Sequence, residues 1–154
     1  MGLERPRPIQ VQENVHDFAS GESSLDDYLK ERALANHLAD LARCYVCIES
    51  TTGRVVGYYT LSAVGIERAA LPGRARRNAP DPVPAILLGR LAVDRGAQGG
   101  GLGRHLVRDA VLSTLAAAHR VQTVQRLIQD QHVRVVDNAL RQLDALPHPL
   151  GVAA

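Results

Sequence analysis

The residues best suited to chemistry are six in a row: Gln98-Gly99-Gly100-Gly101-Leu102-Gly103. Four glycines within five positions remove the Cβ atoms that would hold a ligand off the backbone. If a helix starts there, its first N–H groups have no partner within the helix, and its dipole adds partial positive charge. Such a turn binds a phosphate or pyrophosphate. Arg104 follows directly and could reinforce the site. A P-loop would need Gly-Lys-Ser/Thr at the helix start, where this chain has Gly103-Arg104-His105. A dinucleotide fingerprint spaces its glycines as G-x-G-x-x-G in a βαβ unit; here the glycines are bunched differently and two hairpin-like strands come first.

Several elements must position this turn. Ala85 to Val93 is nearly continuously apolar, the pattern of a central strand covered on both faces, and it leads through Asp94-Arg95-Gly96-Ala97 into the glycines. A helix is predicted from about Gly103 to His119, with Leu106, Val107, Ala110, Val111, Thr114, Leu115 and Ala118 on its apolar stripe. Upstream, Ser23 or Ser24 can cap a helix, with Asp26 or Asp27 completing a capping box. Helical spacing then runs to about Ala42, as one helix or as two broken near Asn36. Arg43–Ser50 and Arg54–Val64, joined through Gly53, read as an antiparallel hairpin, and Gly57 suggests a bulge or a close backbone approach. Glu67 to Pro84 reads as a loop, rich in proline and carrying Arg68, Arg74, Arg76 and Arg77. Val121–Ile128 is expected as a further strand and Val133–Leu146 as a last helix.

Composition bounds the possibilities. A chain of 154 residues, 45% apolar and 22% charged, fits one domain spanning 1–154 with a real core. One Phe, four Tyr and no Trp leave the core to Leu, Val, Ile and Ala and argue against base-stacking platforms. The net charge is only +2, yet Lys30 is the sole lysine among 18 basic residues. Arginine presents a planar fork that suits phosphate oxygens; codon composition is the other explanation for its abundance. Cys44 and Cys47 form a lone C-x-x-C on a predicted strand, where residues three apart face opposite sides. They are expected to be two buried structural thiols, and no metal site is expected. The charged, proline-bearing start has no apolar signal region and no stretch reaches the ~18 residues of a membrane span, so a cytoplasmic location is expected.

Gln98-x-x-Gly101-x-Gly103 after an apolar strand resembles the acetyl-CoA motif of the GNAT N-acetyltransferases. More narrowly, the chain resembles the GNAT toxins of bacterial toxin–antitoxin pairs. Three segments carry this likeness: Phe18-Ala19-Ser20-Gly21 with Leu25-Asp26-Asp27-Tyr28-Leu29, Val56 to Ser62, and Leu88-Gly89-Arg90-Leu91-Ala92-Val93-Asp94. They span roughly residues 15 to 118. The resemblance implies an α/β (α+β) fold with a central, mixed but mostly antiparallel sheet flanked by helices. It implies that Leu91, Ala92 and Val93 pair with the pantetheine arm, that the Val93 N–H acts as oxyanion donor, and that Gly99, Gly100, Gly101, Leu102, Gly103 and Arg104 hold the pyrophosphate. It further implies acetylation of aminoacyl-tRNA, a ribbon-helix-helix antitoxin and a possible homodimer, with Arg74, Arg76, Arg77 and Arg90 facing tRNA phosphates. A GNAT enzyme for another amine, or a catalytically impaired CoA-binding remnant, would carry the same turn.

After the helix ending near His119 the likeness stops. The family's segment with a general-acid tyrosine is replaced by Ile128-Gln129-Asp130-Gln131-His132-Val133-Arg134-Val135-Val136-Asp137, and no tyrosine follows Tyr59. The tail is diverged, or frameshifted or degraded, or another group such as His132 acts as the acid.

Overall fold

The computed structural model describes residues 2–120. Residues 1–110 belong to one compact unit and 111–154 to a second. The expected strand Val121–Ile128, the expected helix Val133–Leu146 and His132 lie outside the described residues.

In the first unit four antiparallel strands pair in the order β1-β2-β3-β4: Arg7–Pro8, Arg43–Ile48, Val55–Ile66 and Val83–Val93. The one parallel pairing among the described residues is an isolated bridge between Asn14 and Arg54. Helices α1 (Ser23–Glu31) and α2 (Ala33–Leu38) precede β2, the single turn α3 (Gly73–Arg76) follows β3, and α4 (Leu102–Arg120) follows β4.

Side chains alternate across the sheet into two cores. Cys44, Val46, Ile48, Val55, Tyr58 and Ala92 join Phe18, Tyr28, Leu29 and Ala33 on one face. Cys47, Val56 and Tyr59 join Leu102, Leu106 and Ala110 of α4 on the other. The two cysteines are free, buried and in different cores, as their spacing on a strand requires. Burial alone pushes the Cys44 thiol up to about 12, so it packs as a small hydrophobe.

Three expectations change. The cores are not aliphatic at their centres: Tyr58, Tyr59 and Phe18 are the largest fully buried side chains. Phe18 meets Tyr58 edge-on at 5.7 Å and Tyr45 stacks on Tyr59 at 5.0 Å, so few aromatics do much of the filling. The Tyr58 hydroxyl donates to the Leu25 carbonyl at 2.7 Å, and that of Tyr59 to Asp109 Oδ2 at 2.7 Å. Second, the helical stretch breaks at Arg32 rather than near Asn36. No serine caps α1: Glu22 occupies the cap position, and Asp26 Oδ1 accepts from the N–H and hydroxyl of Ser20 at 2.9 and 2.6 Å. Burial works to raise the Asp26 pKa, but these bonds together with Lys30 and the Gly21 N–H hold the carboxyl below its ordinary value. Third, β4 begins inside the expected loop, and among the described residues it is the last strand of the sheet. Ile86 and Leu87 are each 50% exposed. The strand begins at Val83, and Pro84, its second residue, sits opposite Gly65 of β3.

His37 ties α2 to the sheet. Its Nδ1 accepts the Cys44 N–H at 3.0 Å, which requires that nitrogen to be unprotonated. Burial, then Arg43, lowers its pKa against the opposing pull of Asp40.

Candidate active site

The end of β4, a short 3-10 turn (Arg95–Ala97) and the start of α4 converge on the glycine run. Gly99 and Gly101 have φ of +84° and +83°, the left-handed region that disfavours any side chain. A Cβ built on Gly99, Gly100 or Gly101 meets no protein atom within 4 Å. Packing among the described residues therefore does not require Gly100 to be bare. The first helical bond of α4 runs from the His105 N–H to the Gly101 carbonyl at 3.2 Å, so the N–H groups of Leu102, Gly103 and Arg104 precede the helical ladder. A concave backbone with free donors at a helix start can hold an anion.

The strand contributes an edge. Antiparallel backbones alternate between facing the partner strand and facing away. The Asp94 N–H donates to the Val56 carbonyl at 2.9 Å, and Val93 sits opposite Gly57 and Ala92 opposite Tyr58. The N–H and C=O of Val93 and Leu91 therefore face away from β3, while those of Ala92 face it. Of the three residues expected to pair with a pantetheine arm, Leu91 and Val93 turn their backbone groups outward, the Val93 carbonyl toward Gln98, and Ala92 does not.

Two glycines shape this edge. A Cβ on Gly57 would lie 2.9 Å from Leu106 Cδ1 and 3.4 Å from Leu102 Cδ2, so its bareness lets α4 settle on β3. Of the two alternatives offered for Gly57, the close approach is the one found at it. The β2–β3 register shifts beside it, with Val56 the extra residue between the Cys47–Gly57 and Ile48–Val55 pairs. Gly89 is the extra residue of a second bulge: Thr60 pairs with Arg90 but Leu61 with Leu88. A glycine within an apolar run was the available sign of it.

The other expected residues divide. Leu102 buries its side chain in the core against Gly57, leaving only its backbone for a ligand. Arg104 is half-buried on the first turn of α4. Arg74, Arg76 and Arg77 come together with Arg68 around an open cleft of about 810 Å³. Arg90 does not line it; its guanidinium lies 4.0 Å above the Tyr28 ring. Gln98 turns its side chain back to the Val93 and Ser20 carbonyls, at 2.9 and 2.8 Å.

A latch that sequence reasoning did not foresee secures the turn. Buried Asp94 accepts the Ala19 N–H at 3.0 Å and the Gly96 N–H at 2.9 Å. The Arg95 N–H donates to the Ala19 carbonyl at 2.9 Å. Asp94 and Phe18-Ala19-Ser20-Gly21 were legible as motif residues, but not as partners about 75 residues apart. Among the described residues no group of His, Cys, Asp or Glu is placed to hold a metal, and no helix is long and apolar enough to cross a membrane.

Comparison with known proteins points to one family. A tRNA-acetylating toxin of Mycobacterium tuberculosis (strain ATCC 25618 / H37Rv) is 50% identical over 131 residues, covering 85% of this chain and 78% of the relative. The structure of AtaT complexed with acetyl-methionyl-tRNAfMet is similar with a TM-score of 0.71 and 32% identity, covering 78% of this chain and 73% of that one. A tyrosine-to-phenylalanine mutant of AtaT, bound to the C-terminus of the antitoxin AtaR and acetyl-CoA, matches with a TM-score of 0.64 and 30% identity, covering 77% and 69%. The model of the acetyltransferase (GNAT) family matches residues 11–138, past the last of the motifs quoted above. The chain therefore belongs to the acetyltransferase (GNAT) family.

Proposed function

We propose that this chain is a toxin that transfers an acetyl group from acetyl-CoA to the α-amino group of aminoacyl-tRNA. The open glycine turn, where added Cβ atoms would stand in empty space, is the observation that carries the cofactor assignment. The backbones of Gly99 to Arg104 hold the pyrophosphate, and the outward edges of Leu91 and Val93 pair with the pantetheine arm. In this reading the Val93 N–H donates to the thioester oxygen as it gains charge.

The transfer itself balances simply. The neutral amine nitrogen attacks the thioester carbonyl and gives up one proton as the amide forms, the C–S bond breaks, and CoA leaves as a thiolate that takes up one proton. The arginine cleft of Arg68, Arg74, Arg76 and Arg77 supplies positive charge for the phosphates of the acceptor. Arg90 is better read as a side chain fixed on Tyr28 than as a free phosphate hook. The substrate reading is supported by the 50% identical relative named as a tRNA-acetylating toxin and by the similar AtaT complex with acetyl-methionyl-tRNAfMet. An antitoxin of the ribbon-helix-helix type, a homodimer and a cytoplasmic location, where charged tRNA is found, belong to the same proposal.

The test is incubation with isotope-labelled acetyl-CoA and charged tRNA. Label on the aminoacyl group is expected; label on another amine and none on tRNA would overturn the substrate. A second reading, cofactor binding with little turnover, is favoured by one observation: no tyrosine follows Tyr59. Tight acetyl-CoA binding with no acetylation of any acceptor would select it.

A further inference from the structure

Gln98 heads the glycine motif, yet its amide does not face the open cradle. A glutamine side chain has two N–H donors. Here Nε2 donates to the Val93 carbonyl at 2.9 Å and to the Ser20 carbonyl at 2.8 Å. With both donors used, what remains is an acceptor oxygen, which a phosphate repels. Each of the two carbonyls belongs to a different part of the site. That of Val93 lies on the outward edge of β4, next to the N–H placed to polarise the thioester. That of Ser20 belongs to the segment held by Asp94 and Arg95 through Ala19. The Arg95 side chain lies against the same segment, since a Cβ on Gly21 would sit 3.0 Å from Arg95 Nε.

We infer that Gln98 is a positioning residue that braces the strand edge against the glycine turn, and that its side chain is not a ligand of the pyrophosphate. This deepens the acetyl-CoA reading above and rests on it. By fixing the Val93 carbonyl, the brace fixes the peptide plane and the spacing between the edge that takes the pantetheine arm and the loop that takes the phosphates. Arginine at this position could also bridge two carbonyls, because its guanidinium carries several N–H donors. Glutamate, of the same shape, could bridge neither.

The discriminating probe is pantetheine, which has the arm of CoA without its phosphates. Dissociation constants for CoA and for pantetheine are measured by NMR titration of wild type, Gln98→Ala, Gln98→Glu and Gln98→Arg. A brace predicts that Gln98→Ala and Gln98→Glu weaken both ligands by about tenfold, the effect of losing one to two hydrogen bonds, and that Gln98→Arg restores both. A loss confined to CoA would make the side chain a pyrophosphate ligand and overturn the inference, as would unchanged binding of both. Melting temperatures are followed in parallel. If Gln98→Ala and Gln98→Glu fail to fold, the Gln98→Arg titration decides alone: wild-type affinity for pantetheine supports the brace, and a tenfold loss overturns it. A wild-type chain that binds neither ligand would instead overturn the cofactor reading beneath it.

Discussion

The two halves of β4 have similar apolar sequence and opposite fates. Upstream of Gly89, Ile86, Leu87 and Leu88 stand exposed beside a proline- and arginine-rich loop. Downstream, Leu91, Ala92 and Val93 are half or fully buried and run into a turn held by Asp94, Gln98 and α4. The bulge at Gly89 divides them. Hydrophobicity alone did not determine which half was covered; what packs on each half did. Below the bulge the sheet has α1 on one face and α4 on the other.

Substitutions can sharpen that contrast, and the largest effect is expected at the turn. Gly101→Val combines a φ of +83° with a side chain in the cradle, and should abolish acetyl-CoA binding by calorimetry while lowering stability. Gly100→Val isolates the second cause. Its Cβ meets nothing, so the melting temperature should hold while acetyl-CoA affinity drops by about 100-fold; unchanged affinity would remove the cradle from the pyrophosphate site. Beneath the same half, Gly57→Val drives a side chain into Leu106 and should cost about 2–3 kcal/mol in urea unfolding. Asp94→Ala leaves the Ala19 and Gly96 N–H groups without their acceptor and should cost about 2 kcal/mol. In the upstream half Leu87→Ser should stay within about 0.5 kcal/mol of wild type. A loss there as large as that of Asp94→Ala would mean the two halves do not differ.

Much of the site was readable from local pattern. Strand, glycine turn and helix occur in sequence order, and bare backbone beside a helix start needs no long-range information. The hairpin, the opposed cysteines and Gly57 were legible for the same reason. What escaped was tertiary. That Ser20 belongs to Asp26, and Ala19 to Asp94, follows from the path of the chain, so two serines placed well for capping turned out not to cap. The exposure of Ile86 and Leu87 depended on what packs over them, which an apolar run does not encode. The aromatic cores were missed because counting residues says nothing of where five rings cluster.

Gly57 carries one more consequence, for how the chain avoids a wrong fold. Tyr58 and Tyr59 are adjacent yet fill separate cores on opposite faces of the sheet. A slip of β3 by one residue would exchange every side chain between the faces. It would also bring Val56 or Tyr58 beneath Leu106, at a spot where even a methyl group lies at 2.9 Å. One missing side chain thus works as a registration mark, admitting the strand in a single alignment, and the active-site edge at Val93 inherits its position from that alignment because Val93 is the partner of Gly57.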